Sequence, residues 1–203
     1  MQPRMFTRFE RAYRRRRFDF CPWFFWDEAT AAERRAQLDY QAFLRQRHGV
    51  VAGARCFLSP AAAIISSERE PLTLGDRCFI AGGAYVTGRV TLGSDSTVNP
   101  YATLRGVVSG GAGVRIGAYG CLVGFNHGFD QLDSPIFQQP HTSRGIILGD
   151  DVWLGAQVTV IDGVHVGSHV VLGAGAVVTK NVPDYAVSAG NPAKVLRRRN
   201  QDL

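Results

Sequence analysis

Aliphatic residues recur at every sixth position from Leu74 onward, and the pattern continues through most of the remaining chain. The first run lapses only at Gly110, and the second has no exception. These positions are Leu74, Ile80, Val86, Leu92, Val98, Leu104, Ile116 and Leu122, then Leu148, Leu154, Val160, Val166, Leu172 and Val178. An α-helix repeats at about 3.6 residues and a β-strand at about 2, so this period fits neither. It predicts a chain that bends once per hexad and closes a three-sided coil every ~18 residues.

The fifth position of each hexad is small or β-branched, as at Cys78, Ala84, Val152 and Val158. Such residues suit a tight corner, while the first position fills the interior of the coil. Neighbouring coils then pair as parallel strands and bury their faces by stacking. A β-sandwich with accidental spacing is disfavoured by the unbroken second run.

The residues before the repeat have a different pattern. Residues 1–26 are basic and aromatic, and Leu58 and Ile64 suggest a degenerate first turn of the coil. Thr30 and Glu33 have the spacing of a capping box, so a helix should follow to about Arg47 and end at Gly49. One face of that helix is apolar enough to pack against another surface. It carries Ala36, Tyr40, Phe43, Leu44 and Arg47.

The pattern divides the chain into three parts. Residues 1–56 form a basic aromatic arm and an amphipathic helix, 57–185 form the coil, and 186–203 form a basic tail. The hexads lose their phase between Leu122 and Leu148, which predicts an excursion loop over 123–147. A loop that projects from a rigid scaffold is a common position for chemistry.

Charge and cysteine usage narrow the function classes. The net charge of +6 belongs to the two ends, because residues 1–48 hold 11 Arg against six acids and residues 194–203 hold four basic residues against Asp202. The middle is slightly acidic, which argues against nucleic acid as a partner. The sequence shows no secretory signal or membrane span, and the four cysteines are scattered. We therefore expect reduced thiols and a cytoplasmic protein.

His127 is the strongest candidate for chemistry. Imidazole exchanges a proton near neutral pH, so it can take one from a hydroxyl or an amine. Taken alone, a histidine in a loop is more often a surface residue. His141 lies in the same loop, where it either contacts substrate or is exposed.

Four stretches of this chain resemble the hexapeptide-repeat acyltransferases, and most closely the maltose, galactoside and polysaccharide O-acetyltransferases. They are residues 124–127 (GFNH), 145–155 (GIILGDDVWLG), 173–180 (GAGAVVTK) and 189–195 (AGNPAKV). The resemblance covers about residues 72–198. It implies a left-handed parallel β-helix, and the handedness is taken from the resemblance alone. It also implies a homotrimer with active sites between subunits, acetyl-CoA as donor, and a hydroxyl of a sugar or glycan as acceptor.

The resemblance also implies roles for individual residues. His127 matches the catalytic general base, and Asn99 matches an asparagine that orients the acceptor. Trp153 matches the tryptophan at the thioester end of the donor tunnel. Ala156 stands where relatives often have Ser, so only a backbone contact to the pantetheine arm remains. The positions matched to coenzyme binding are Trp153, Gly155, Ala156, Ala174, Thr179, Lys180, Lys194 and Arg197.

The distribution of lysines agrees with a phosphate-bearing ligand. Lys180 and Lys194 are the only lysines in the chain, and both fall within the matched stretches. A nucleotide with a 3′-phosphate and a pyrophosphate needs several cations, and Arg197 to Arg199 extend the cluster. The alternative is a solvated basic tail.

These residues predict direct transfer. His127 removes the acceptor's proton as the oxygen attacks the thioester, a backbone N–H stabilises the oxyanion, and no covalent enzyme intermediate is needed. Cys121 is close in sequence but has no evident activating partner, so it is interpreted as structural. Either Asp130 or a backbone carbonyl orients the imidazole, and the sequence does not choose between them.

Two other function classes remain as alternatives. Residues 98–106 (VNPYATLRG) resemble the core of γ-class carbonic anhydrases. A zinc site there needs three imidazoles, and the sequence offers no further histidines near His127 at suitable repeat positions, so we expect no metal. A non-catalytic β-helix scaffold is the second alternative. The acceptor stays open between a glycan, an amino sugar and an antibiotic. Residues 1–26 either cover the acceptor opening, line a neighbouring subunit, or contact an anionic membrane face.

Overall fold

The computed structural model describes residues 7–199, and the chain is a left-handed parallel β-helix preceded by helices. The coil has three faces, and all of its strand pairs are parallel except the last pair on face B. Face A contains β1 Val50–Ala52, β4 Leu72–Leu74, β7 Val90–Leu92, β10 Val108–Gly110, β13 Ile146–Leu148 and β16 His165–Val166. Face B contains β2 Phe57–Leu58, β5 Phe79–Ile80, β8 Thr97–Val98, β11 Arg115–Ile116, β14 Trp153–Leu154, β17 Val171–Leu172, β19 Ala186–Ala189 and β20 Lys194–Arg198. Face C contains β3 Ala63–Ile65, β6 Tyr85–Thr87, β9 Thr103–Gly106, β12 Cys121–Gly124, β15 Thr159–Ile161 and β18 Val177–Val178.

The hexad positions fill the interior of the coil as predicted. Leu104, Ile116, Leu122 and Leu154 have no exposed surface, and the small fifth-position residues are also buried. On faces A and B the residue that follows the hexad position is usually small, as at Gly75 and Gly117, because adjacent coils approach closely there. A Cβ added to Gly155 would lie 2.7 Å from the backbone nitrogen of Ala174 in the next coil. The core is therefore built from one large and one small residue per hexad.

The coil begins earlier than the hexad pattern indicates. Val50 on β1 pairs with Leu72 on β4, and Val50 is almost completely buried. The turn at residues 66–71 adds residues between the first and second coils, so the first coil is out of phase with the hexads that follow Leu72. Leu58 and Ile64 lie on β2 and β3, so the degenerate first turn is confirmed.

From residue 7 onward, three α-helices precede the coil: α1 Arg8–Phe20, α2 Phe25–Glu28 and α3 Ala31–His48. Short 3-10 helices cover Pro22–Phe24 and Ile136–Gln138. The predicted capping box on α3 is confirmed, since the Thr30 hydroxyl accepts from the Glu33 amide and the Glu33 carboxylate accepts from the Thr30 amide. Gly49 caps the helix C-terminus with φ of 63°. Over residues 7–199, no helix is long and apolar enough to cross a membrane.

The helices pack on the first coil. Leu44 of α3 is buried and Tyr40 packs beside it, but Ala36, Phe43 and Arg47 are exposed, so the predicted apolar face is wrong at those residues. Because Phe43 lies next to Leu44 on a helix that contacts the coil along a narrow line, only one of the two side chains reaches the core. The aromatic arm packs Phe18 and Phe25 against Phe57.

Candidate active site

The excursion loop leaves the coil at the edge between faces C and A, after β12 and before β13. Its two ends form a short antiparallel ladder. Asn126 and Thr142 exchange both backbone hydrogen bonds, at 2.7 and 2.9 Å, and the Gly128 amide donates to the carbonyl of Pro140 at 3.1 Å. A Cβ on Gly128 would lie 2.6 Å from the Pro140 oxygen, so glycine permits this close approach.

The ladder places His127 directly opposite His141. The two residues form the pair between hydrogen-bonded positions, where opposing side chains of an antiparallel ladder are closest. The Nε2 atom of His141 lies 3.0 Å from Nδ1 of His127, and the rings meet edge to face with centroids 4.3 Å apart. The sequence offered Asp130 or a backbone carbonyl as the group that orients the His127 ring. In the structure, His141 contacts Nδ1 of that ring.

The rest of the loop is held by polar contacts. The buried side chain of Gln139 donates to the carbonyls of Gln131 and Ser134, at 2.8 and 2.9 Å, and accepts from the Gln131 amide at 3.1 Å. At the return to the coil, the buried carboxylate of Asp162 accepts from the amides of Arg144 and Gly145 at 2.9 and 2.7 Å. The histidines are thus mounted on an ordered hairpin.

His127 and His141 line a cavity of about 430 Å³ at this edge. Its other lining residues include Glu70, Arg105, Phe125 and Ser143. The guanidinium carbon of Arg105 lies 5.2 Å from the ring centre of Phe125, and the Arg105 Nε atom is buried without a hydrogen-bond partner among residues 7–199. The cavity combines two imidazoles, a cation, a carboxylate and an aromatic surface.

Sequence reasoning missed Arg105, Phe125 and Glu70. Arg105 lies on β9, one strand before β12 on face C, where it pairs with Val123. The signal was present in the repeat itself, because outward residues one coil from the start of the loop must lie beside it. Glu70 had no such signal, since it belongs to the turn that breaks the hexad phase.

Asn99 lies at the corner between faces B and C. Its side-chain amide donates to the carbonyl of Ile116 at 2.8 Å, which ties one coil to the next. Within one chain the structure does not bring Asn99 into the cavity that His127 lines. Its role toward the acceptor stays a prediction.

Part of the predicted coenzyme set lies in one row across face B. Trp153 pairs with Val171, Val171 with Val187, and Val187 with Arg197. Neighbouring strands lie about 4.8 Å apart, so Trp153 and Arg197 are separated by roughly 14 Å along the row. Trp153 is 57% exposed, and Lys194 lies on the same terminal strand as Arg197. The row presents an aromatic ring at one end and cations at the other.

The remaining matched residues lie at the two corners of face C. Gly155, Ala156 and Ala174 are at the corner between faces B and C, where the Gly175 amide donates to the Ala156 carbonyl at 2.9 Å. Thr179 and Lys180 are exposed at the corner between faces C and A, just after β18. That is the edge from which the histidine loop projects, two strands further along the coil.

No three His, Cys, Asp or Glu side chains within residues 7–199 come together as a metal site. His127 and His141 form a pair, and the described part of the chain supplies no third ligand to complete the zinc site of the carbonic anhydrase alternative.

Two family models match the coil. The model described as bacterial transferase hexapeptide (six repeats) matches residues 145–180, and that described as hexapeptide repeat of succinyl-transferase matches residues 71–100. Probable acetyltransferase Rv3034c of Mycobacterium tuberculosis is 33% identical over 111 residues, which are 55% of this chain and 36% of that protein. The chain therefore matches only about a third of that relative's length.

Solved structures with the same fold include two acyltransferases. AntD, an N-acyltransferase from Bacillus cereus in complex with dTDP and 3-hydroxybutyryl-CoA, has a TM-score of 0.68 at 18% identity, covering 78% of this chain and 87% of that one. The acetyltransferase domain of PglB from Neisseria gonorrhoeae FA1090, in complex with acetyl coenzyme A, has a TM-score of 0.50 at 25% identity, covering 80% and 65%.

The three-faced coil and its six-residue repeat agree with the two hexapeptide models over residues 71–100 and 145–180. Over those stretches the chain is similar to hexapeptide-repeat transferases.

Proposed function

We propose that this protein is an O-acetyltransferase that moves the acetyl group of acetyl-CoA to a hydroxyl of a sugar or glycan. The observation that carries the proposal is the placement of His127 in a cavity of about 430 Å³, on an ordered hairpin, beside Arg105 and Phe125. Donors, acceptors and an aromatic surface around a base are the groups that a polyhydroxylated ligand requires. The polar residues fix its orientation, and the Phe125 ring suits the apolar face of a sugar.

In the proposed mechanism His127 is the general base. Its imidazole takes the proton of the acceptor hydroxyl as that oxygen bonds to the thioester carbonyl carbon. The carbon–sulfur bond then breaks, the acetyl group stays on the acceptor oxygen, and the proton is passed from the imidazole to the departing thiolate. A backbone N–H stabilises the oxyanion in between. Every atom is accounted for without a covalent enzyme intermediate or a metal.

The donor is proposed to bind along face B. The exposed ring of Trp153 lies at one end of the row, and Lys194 and Arg197 at the other end supply cations for phosphates. Acetyl-CoA as the bound donor is supported by the PglB domain, which carries it on the same fold. AntD was solved with 3-hydroxybutyryl-CoA, so longer acyl groups belong in the test.

We also propose that the protein acts as a homotrimer. His127 projects from the edge between faces C and A, whereas Trp153 and Arg197 lie on face B of the same chain. One chain therefore separates its base from most of its donor residues. A second copy that presents face B to the histidine edge of the first would bring the two together, and three copies would close the ring.

A thiol-release assay over a panel of acceptors tests the proposed function. Purified protein is incubated with acetyl-CoA and one acceptor at a time, and the products are analysed by mass spectrometry. The acceptors are hydroxyl sugars, their 2-amino and 4-amino analogues, nucleotide-linked sugars and chloramphenicol. The proposal predicts a mass gain of one acetyl group on a hydroxyl sugar, labile to mild base as an ester is. If only amino sugars are acetylated, the proposed O-acetyl transfer is replaced by N-acetyl transfer. If no acceptor increases the release of coenzyme A, the proposed function is rejected.

The arm is proposed to contact anionic membrane lipid at the cytoplasmic face. Phe9 and Tyr13 are 85% and 70% exposed on one side of α1, beside exposed arginines. Such a helix can insert aromatic rings at a charged interface. Flotation with phosphatidylserine vesicles that is unchanged in the Phe9→Ser, Tyr13→Ser variant would reject this contact.

A further inference from the structure

We infer that His141 is a positioning residue that fixes the tautomer of His127 and holds the proton of its Nδ1 atom during acyl transfer. This inference rests on the proposed role of His127 as general base. It is carried by the 3.0 Å contact between Nε2 of His141 and Nδ1 of His127.

The contact contains one hydrogen, and only one arrangement leaves His127 able to act. If Nε2 of His141 donates, His127 must carry its own proton on Nε2 and cannot accept another there. If Nδ1 of His127 donates to Nε2 of His141, the Nε2 atom of His127 is free to take the acceptor's proton. Activity therefore requires His141 to be neutral, with its proton on Nδ1.

The pairing is built by the backbone rather than by chance contact. His127 and His141 face each other because Asn126 pairs with Thr142 and Gly128 approaches Pro140. In the transition state the His127 ring becomes an imidazolium, and its Nδ1–H bond to a neutral imidazole becomes charge-assisted. The partner thereby favours the state in which the acceptor's proton has moved.

Other ionisable groups share this cavity. Glu70 lines it from the turn before β4, and Arg105 from β9, while Asp130 and Asp133 lie further along the loop. A comparison that changes only residue 141 leaves all four in place. Differences in pH dependence between such variants then belong to the histidine pair.

Three substitutions at one position separate positioning from structure. His141→Gln can place a carbonyl oxygen near the Nε2 site and accepts a hydrogen bond without titrating, whereas His141→Ala accepts none. We expect kcat of His141→Ala to fall roughly 10-fold to 100-fold with an unchanged KM for acetyl-CoA, and His141→Gln to recover most of it. His141→Lys, a donor only, should be at least as impaired as His141→Ala. His165→Gln, at the exposed position of strand β16, is the matched control and should behave as wild type.

The pH profile and the tautomer give readouts that a purely structural role would not change. In a plot of log(kcat/KM) against pH, the acid side of the wild-type curve should have a slope greater than one, because protonation of either ring stops the reaction. The same slope should be one in His141→Gln, where residue 141 does not titrate. Nitrogen-15 NMR of labelled histidine should assign the neutral His127 ring as protonated on Nδ1.

The inference is overturned if His127→Asn is inactive while His141→Ala keeps wild-type kcat and pH profile, or if NMR shows His127 protonated on Nε2 in the active protein. Full activity of His127→Asn would instead reject the proposed role of His127 as general base, on which this inference rests. The two failures are therefore distinguishable in the same set of proteins.

Discussion

At the scale of single residues, the register of the ladder formed by residues 126–142 determines which side chain His127 contacts. The sequence singles out His127 because it lies where the hexad phase breaks, and its catalytic role stays a prediction. The proximity of His141 follows from the ladder register, which no local sequence pattern specifies. Arg105 lies one coil from the loop, so the repeat itself places it beside the loop.

Glu33 illustrates a residue with a second role that the sequence did not indicate. Its carboxylate caps α3, as predicted, and also accepts two hydrogen bonds from Arg14 of α1 at 3.0 and 2.7 Å. The Arg14 guanidinium holds the pKa of Glu33 below its ordinary value, against an opposing effect of burial. The ion pair therefore joins the arm to the helix that packs on the coil.

This pair gives a pH-dependent contribution to stability. Because the pKa of Glu33 is lower in the folded state, the contribution is complete above the unfolded-state pKa of about 4.3 and is lost as pH falls through the lowered folded-state value. Glu33→Gln keeps the capping geometry but not the charge. We expect its Tm to be below that of wild type at pH 7 and to converge with it near pH 3.

Thermal melts between pH 3 and pH 8 measure that difference. Glu68→Gln, at an exposed carboxylate, is the control and should show no comparable convergence. A gap between wild type and Glu33→Gln that stays constant down to the lowest pH would contradict the account.

At the scale of elements, local signals predicted what local chemistry determines. The helix α3 was predictable because each of its ends is determined locally. Thr30 and Glu33 cap the N-terminus, and Gly49 ends the helix at the C-terminus. The first coil was predicted only as a degenerate turn at Leu58 and Ile64, because the turn at 66–71 removes the phase that would have extended the coil back to β1. The loop beyond the histidine pair is held by the buried Gln139, whose partners Gln131 and Ser134 lie in an irregular segment that no repeat or cap motif marks.

Gln139 should therefore control the order of the loop. Gln139→Ala removes three hydrogen bonds and leaves the carbonyls of Gln131 and Ser134 without that donor, so the loop tip opens more often. We expect cleavage within residues 129–139 by a broad-specificity protease to be roughly 10-fold faster, with the Tm of the coil unchanged. Gln138→Ala, at the exposed neighbouring residue, is the matched control. Equal cleavage rates in the two variants would contradict this role.

At the scale of the whole molecule, the coil predicted from the sequence is confirmed, and it determines where function can be assembled. A three-sided prism keeps the edge bearing His127 apart from face B, which bears Trp153. No pattern in one chain indicates how copies pack, so the arrangement of subunits came only from family resemblance. The proposed trimer follows from the need to bring edge and face together.

Subunit complementation tests that arrangement. His127→Ala and Trp153→Ala chains are co-expressed with different tags, and assemblies carrying both tags are isolated. In a ring of three, one interface pairs an intact histidine with an intact tryptophan, so we expect about one third of wild-type activity. Each variant alone should be nearly inactive. Mixed assemblies without recovery would mean that base and donor residues act within one chain.

His127 is proposed to act as the general base of acyl transfer. The most direct test measures coenzyme A release and acetyl-CoA binding on the same His127→Asn protein. Asparagine approximates the size of the ring near Cβ but cannot take the proton. We predict that binding of acetyl-CoA matches wild type while turnover with the identified acceptor falls by about 10²-fold to 10⁴-fold. Turnover within a few-fold of wild type would contradict the account.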